Sequence, residues 1–374
     1  MTKPSTDPSA PEAALAVELD VELEAGLTAA ITYLNQGNVD AAASHAAALI
    51  GRYPAHPAVC QLSAQIALQR GDATLARRHI AQGLLLRPDH LPSLLIAGRA
   101  ALADGAAAEA LPPLLRACAL SGNALEPSYL ACVARLQSGA ADAVAELGLL
   151  IQRAPGFAPA WIELAEAMRQ GGELQAALAA LDRALALDGN IARAQFQRGK
   201  VLHALGRKAE AAGAFAGAVA LEPRSREARL NLAIAQQELG ELSAAQATLE
   251  ALVGAHPRDY DGWIQLGLVR QDRRDLRGAQ AALRSALACQ PDAAPAAVNL
   301  GIVLQEDGQP DAALAAYAHA YRVAPETFGR IAQALCSGPH GRLWADLGAL
   351  RALLASLGVP GNPGNPGNPG SIQD

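Results

Sequence analysis

The chain has 374 residues, a net charge of −6 and a pI near 5.8; 51% of its residues are hydrophobic but only 3% aromatic. The acidic balance argues against the dense basic stripe of a nucleic-acid surface, and no apolar run reaches the ~20 residues that cross a bilayer. An interior short of aromatics must be built from Ala, Leu, Val and Ile, which suits closely spaced helices. Lys3, Lys200 and Lys208 are the only lysines among 30 basic residues; this arginine bias, with the Ala and Gly excess, points to a GC-rich bacterial genome. Cys60, Cys118, Cys132, Cys289 and Cys336 are odd in number and never form a CxxC pair, so they are expected as buried reduced thiols.

In chain order, residues 1–22 come first. Met1 to Glu12 is polar and proline-bearing and has no apolar signal core, which makes the cytoplasm the expected location. This segment is read as a largely disordered tail holding at most the start of a helix. A repeat then takes over. Ala42, Ala76, Ala110, Ala143, Ala177, Ala211, Ala245, Ala279 and Ala313 recur every 34 residues, with one interval of 33. Twelve residues beyond each alanine stands a proline or glycine: Pro54, Pro88, Gly122, Pro155, Gly189, Pro223, Pro257, Pro291, Pro325. Five residues before it stand Gly37, Gly71, Gly105, Ser138, Gly172, Gly206, Gly240, Arg274 and Gly308. Glycine ends a first helix in the left-handed conformation, and proline closes a second. A further column holds only small residues: Ala30, Ala64, Gly98, Ala131, Ala165, Gly199, Ala233, Gly267, Gly301. Such residues let two antiparallel helices approach closely. A fixed period of this length means stacked helical hairpins rather than a closed globule.

These columns resemble the tetratricopeptide repeat (TPR), whose signature runs W-x2-L-G-x2-Y, then Ala, an apolar residue and Pro. Trp161, Leu164, Ala165, Met168, Gly172, Ala177, Leu181 and Ala184 fit it, as do Trp263, Leu266, Gly267, Ala279, Leu283, Ala286 and Pro291. Leu300, Gly301, Leu304, Gly308, Ala313, Tyr317, Ala320 and Pro325 fit it again. The resemblance implies an all-α solenoid, a right-handed superhelix of antiparallel helix pairs. Nine repeats are read at 23–56, 57–90, 91–123, 124–157, 158–191, 192–225, 226–259, 260–293 and 294–327. The first four are degenerate, with Gly26, Cys60, Leu94 and Pro127 in the tryptophan column. Pro112 and Pro113 should distort the second helix of the third repeat. Arg198, at a usually buried leucine position, is read as a stem lying along the helix pair with its head in water.

After Pro325 the pattern fails. Residues 328–358 are expected to form capping helices, whose Leu343, Leu347, Leu350, Leu354 and Leu357 make one apolar seam. A second reading gives that seam to self-association. Residues 359–374 are a Gly-Asn-Pro tail expected to be disordered.

No GxSxG, HExxH, Walker A or GxGxxG motif occurs, and the eight histidines show no metal-ligand spacing. His56, His90, His256 and His340 fall at turns, where solvated side chains are expected. No enzyme activity, cofactor or metal is expected. Enzymes that resemble this chain in their repeats, such as O-GlcNAc transferases, carry a large separate catalytic domain, for which about thirty residues before the tail leave no room.

In the TPR family, partners dock on the concave side lined by the first helices. Carried onto this sequence, that surface has a mostly amide column of Glu163, Gln197, Asn231, Gln265 and Asn299, and a second column of Arg169, His203, Gln237, Gln271 and Gln305. Between them runs an apolar row of Ile162, Phe196, Leu230, Ile264 and Val298. A carboxamide both donates and accepts, so a ladder of them can pair with an extended peptide backbone; polar residues on a wet surface are the plainer reading. In the degenerate repeats the matching positions Leu62, Leu68, Ile96 and Leu102 make that part of the groove apolar. The lysines of the family's carboxylate clamp are absent, although Asn231 is present. The leading expectation is a cytoplasmic scaffold or adaptor that binds a protein or peptide partner. Self-assembly, or recruitment of a separately encoded enzyme, stands as the alternative, and an RNA-reading helical repeat conflicts with the acidic balance. The ladder predicts that Gln265→Ala with Asn299→Ala weakens capture and leaves stability nearly unchanged.

Overall fold

A computed structural model describes residues 10–337 and 346–357, with side chains from residue 21 onward. Among these residues every regular element is a helix, and no strand occurs. They form two compact units that divide between Glu173 and Leu174.

The first unit holds α1 (Ala10–Asn35), α2 (Val39–Arg52), α3 (Pro57–Gln69), α4 (Ala73–Leu86), α5 (Leu91–Ala103), α6 (Ala107–Leu120), α7 (Leu125–Gln137), α8 (Ala143–Arg153) and α9 (Ala158–Gln170). The second holds α10 (Leu174–Leu187), α11 (Ala192–Ala204), α12 (Lys208–Leu221), α13 (Arg226–Glu238), α14 (Leu242–Ala255), α15 (Tyr260–Asp272), α16 (Leu276–Cys289), α17 (Ala294–Glu306), α18 (Pro310–Val323), α19 (Phe328–Ser337) and α20 (Leu347–Ser356). Within each unit successive helices pack as antiparallel hairpins, and each first helix also touches the next first helix, as α3 touches α5 and α15 touches α17.

The sequence columns explain the packing. The founding alanines are all buried, from Ala42 at 0% exposed to Ala313 at 1%. In several hairpins the small-residue position faces the residue sixteen further on. Ala64 shares a core with Ile80 and Ala233 with Leu249, while a Cβ on Gly199 would lie 2.5 Å from the Phe215 ring. The second helices close at the expected places. Tyr53, Arg87 and Ala154 are C-caps, each followed by its proline. Several starts are capped by carboxylates or amides, such as Asp72, whose Oδ1 accepts from Leu75 N at 2.9 Å, and Asn38 toward Ala41 N.

Differences from the sequence reading have local causes. In the fourth hairpin the left-handed residue is Gly139 (φ 75°) rather than Ser138, which still caps α7 in right-handed geometry. Arg274 adopts φ 65° itself, a conformation unfavourable for any residue with a Cβ. Its guanidinium is 80% exposed and 3.7 Å from Glu306, so little compensates. Arg274→Gly is therefore expected to raise stability by about 1 kcal/mol, read as a shift of the denaturant midpoint; a lowered midpoint would mean the Glu306 contact outweighs the backbone strain.

Pro112 and Pro113 do not break α6. The carbonyls they leave unpaired, four residues back, belong to the exposed Ala108 and Glu109, where water can replace the lost bonds. Arg198 lies as read, its stem half-buried and its Nε 2.7 Å from Asp182 Oδ1. Helix α1 starts at Ala10, well before residue 23. Of the cysteines, Cys60, Cys118 and Cys132 are buried, and burial pushes the Cys132 thiol up to about 11. Cys289 is half-buried and Cys336 exposed, both in the last turns of their helices.

At the far end α19 packs on α17 and α20 on α18. Ile331 and Leu335 of α19, with Leu350 and Leu354 of α20, join one core with Val298 and Tyr317. The middle of the leucine seam is thus spent inside the chain, and its ends, Leu347 and Leu357, are 50% and 41% exposed. Leu343, Pro339, His340, the start of the chain before Ala10 and the Gly-Asn-Pro tail lie outside the described residues.

Candidate functional site

The first helices of the second unit, α11, α13, α15 and α17, place equivalent side chains on one face at the repeat interval. The two amide columns differ sharply there. The second is already engaged by the protein itself. Gln237 Nε2 donates to Asp272 Oδ2 at 2.6 Å, and Gln271 Nε2 donates to Glu306 Oε1 at 2.7 Å. His203 Nε2 lies 3.1 Å from Glu238 Oε1. Each is a bond from one first helix to the next, 35 residues on. The His203 contact and then Lys208 hold the Glu238 carboxyl below the usual carboxylate range. Gln305 is 3% exposed, donates to Ala334 O of α19 at 3.1 Å and accepts from the Tyr317 hydroxyl at 3.2 Å. In the first unit Arg169 turns back on Glu166 of its own helix.

In the first column Gln265 has no side-chain hydrogen bond among the described residues, and Gln197 Oε1 is covered with no donor. Asn231 spends one N–H on Glu227 O of its own helix, at 2.8 Å, and keeps its carbonyl. Asn299 departs from this pattern: it is 6% exposed and accepts from Arg330 Nη2 of α19 at 2.6 Å. In the first unit Glu163 is buried and accepts from the Tyr129 hydroxyl at 3.0 Å.

The apolar row follows the same division. Phe196, Leu230 and Ile264 are half-buried, whereas Val298 is wholly buried by the cap and Ile162 is 2% exposed. One turn further along each helix stand Lys200, Ile234, Leu268 and Ile302, also half-buried. Lys200 Nζ lies 5.6 Å from the centroid of the Phe196 ring. This row continues the face and was legible as another column at the repeat interval.

The apolar groove expected in the degenerate repeats is not open. Leu62 and Ile96 are 5% and 7% exposed, and Leu68 and Leu102 pack against the same first-unit cores. Contacts between successive first helices consume Leu62 and Ile96, while Leu68 and Leu102 stay half-buried. His56 and His256 are half-buried, each with one ring nitrogen that is covered and unpartnered, and His90 Nδ1 lies 2.9 Å from Ser93 Oγ. These histidines are half-buried rather than fully solvated. Among the described residues no group of three His, Cys, Asp or Glu could hold a metal ion, and no helix is long and apolar enough to cross a membrane.

Stacked helical hairpins with a recurring face on their first helices define an α-helical repeat protein. Tetratricopeptide-repeat profiles match residues 24–56, 62–124, 162–226, 202–266 and 264–326, and the chain belongs to the tetratricopeptide repeat family. No protein of curated function matches it in sequence. Among solved structures, YrrB, described as a TPR protein with an unusual peptide-binding site, is 23% identical, with a TM-score of 0.44 over 48% of this chain and 93% of that one. MamA of Desulfovibrio magneticus is 20% identical, with a TM-score of 0.43 over 45% and 96%. A human IFIT1 dimer with m7Gppp-AAAA is 16% identical, with a TM-score of 0.50 over 79% and 80%. These are likenesses of fold alone.

Proposed function

We propose that this protein is a protein–protein interaction scaffold that holds an extended peptide segment against the first helices of its second unit. Gln197, Asn231 and Gln265 pair with the peptide main chain. Phe196, Leu230 and Ile264, with Ile234 and Leu268 beside them, receive its side chains. The observation that carries this reading is the difference between the two amide columns. The second is consumed by bonds between helices, while Gln265 and the carbonyl of Gln197 have no partner. The covered Gln197 carbonyl is costly to leave unpaired unless something completes it, and the Gln265 amide remains open to a ligand. The site ends before Val298, Asn299 and Gln305, which α19 covers. No chemistry is assigned to it.

The experiment follows from that boundary. Peptides selected on the immobilised protein from a random display library should bind Asn231→Ala/Gln265→Ala about tenfold more weakly, the loss of one or two modest hydrogen bonds. Stability should stay within ~0.5 kcal/mol of the parent. Asn299→Ala is unsuited as a partner substitution because it would release Arg330. Unchanged peptide affinity in the double variant would remove the amide column from the site.

A further inference from the structure

The ligand face of the second unit carries one cation that the peptide site leaves unused. In the column of Lys200, Ile234, Leu268 and Ile302, one turn beyond the amides, only α11 departs from an aliphatic side chain. Lys200 is one of three lysines in the chain and is half-buried. Its Nζ lies 5.6 Å from the centroid of the Phe196 ring and makes no hydrogen bond or ion pair among the described residues. Lys208, by contrast, has the Glu238 carboxylate at 3.2 Å.

The carboxylates of this face are spent or stand elsewhere. Those at the far ends of the first helices are held, Glu238 by His203 and Lys208, Asp272 by Gln237 and Glu306 by Gln271. Asp261, in the first turn of α15, is bound by Arg226. Glu227, in the first turn of α13, is exposed. It precedes Ile234, the repeat equivalent of Lys200, by two turns, about 10 Å along the helix axis. On α9, in the first unit, the equivalent residue is Glu166, bound by Arg169.

An ammonium group has three N–H donors and no acceptor, so a half-buried one without a counter-charge calls for an anion. Gln197 stands one turn before Lys200 on the same helical face. Where the Gln197 carbonyl takes a main-chain N–H, the side chain of that ligand residue is the group within reach of Lys200. One cation matches one carboxylate, whereas a phosphate, with nearly two charges, is ordinarily met by several arginines. A chain-end carboxylate would lie on the line of the main chain, at the amides, and so one turn short of Lys200.

We propose that the segment held by this protein carries an aspartate or glutamate whose side-chain carboxylate binds Lys200, with its apolar residues further along on Leu230, Ile264 and Leu268. This rests on the peptide site proposed above, and it makes Lys200 the residue that sets which part of the segment lies on α11.

Display selection of random peptides on the immobilised parent, Lys200→Met and Lys200→Glu tests this. Lys200→Met keeps the stem on the Phe196 ring and removes the charge, so its denaturant midpoint should match the parent's. Parent binders should share an acidic residue at one aligned position. Lys200→Met binders should lose that preference, and Lys200→Glu binders should show lysine or arginine there. A parent-selected peptide should bind Lys200→Met about fivefold more weakly, the worth of a half-exposed ion pair. Replacing its acid by the amide should cost the parent the same factor and Lys200→Met nothing, and amidating its C-terminus should change neither. Parent binders without a shared acid, or an acid whose replacement costs Lys200→Met as much as the parent, overturn the proposal. The peptide site itself then stands if Asn231→Ala/Gln265→Ala still weakens binding. Affinity lost on amidation overturns the proposal in favour of a chain-end carboxylate, and a library that yields no binder overturns both readings.

Discussion

Gly199→Ala is expected to destabilise the protein by about 1–3 kcal/mol, the usual cost of forcing an extra methyl into a filled core. On an exposed helix the same change would gain stability, because alanine is the better helix former by up to about 1 kcal/mol. The sign reverses because α11 and α12 meet at this point. The new Cβ would fall 2.5 Å from Phe215 Cε1 and 2.9 Å from Cζ. The ring cannot withdraw freely, since Phe215 is 1% exposed and its centroid lies 5.8 Å from that of Phe196. Gly267→Ala meets a leucine instead, with Leu283 Cγ at 2.7 Å, and a leucine can re-rotamer at lower cost. Gly199→Ala should therefore be the more damaging of the two. Phe215→Leu is expected to absorb most of the loss, so that Gly199→Ala/Phe215→Leu is more stable than the summed single effects predict, by a coupling of about 0.5–3 kcal/mol. Equilibrium denaturation of the four proteins closes the cycle. Additive losses would show that the glycine is kept for some reason other than the ring.

That glycine also shows what the sequence made visible. A column admitting only glycine or alanine located the close approach of paired helices, and the proline and glycine columns located their ends, because both are backbone constraints written into residue type. The pairing of size across sixteen residues, Gly199 with Phe215 or Ala64 with Ile80, was equally present but had to be read between columns rather than along them. The candidate site was legible only in part. Gln265 and Gln271 look alike in sequence, yet Gln271 is held by Glu306 and Gln265 is unpartnered. The signal that separates them is the acidic column Glu238, Asp272, Glu306, one helical first-helix end further on. Leu62 and Ile96 looked like groove lining because they share columns with polar residues, whereas side-chain volume turns them into contacts between successive first helices. Asn299, Gln305 and Val298 continued their columns without a break, and nothing in those columns announced that α19 would lie on them.

Gln305→Ala therefore separates a ligand-binding amide from a structural one. A surface amide removed from a groove should change stability by no more than ~0.5 kcal/mol. Gln305 is expected to cost about 2–4 kcal/mol, because a buried hydroxyl and a half-buried carbonyl lose their bond at once. One is the Tyr317 hydroxyl, whose donation to Oε1 at 3.2 Å is its link into the interior; burial also pushes the Tyr317 pKa well above the ordinary phenol range. The other is Ala334 O, in the last four residues of α19, where a helix has no intrahelical donor of its own to offer. Losing both loosens the contact that seats α19 on α17, so the damage should concentrate at the cap. Hydrogen exchange is expected to quicken first across Phe328–Ser337 and Leu347–Ser356, while α11 to α14 keep their protection. Tyr317→Phe, which removes the hydroxyl and leaves the Ala334 bond intact, should lose about half as much. A Gln305→Ala protein of parental stability, with weakened peptide binding, would instead place this residue in the groove and push the boundary of the site beyond α17.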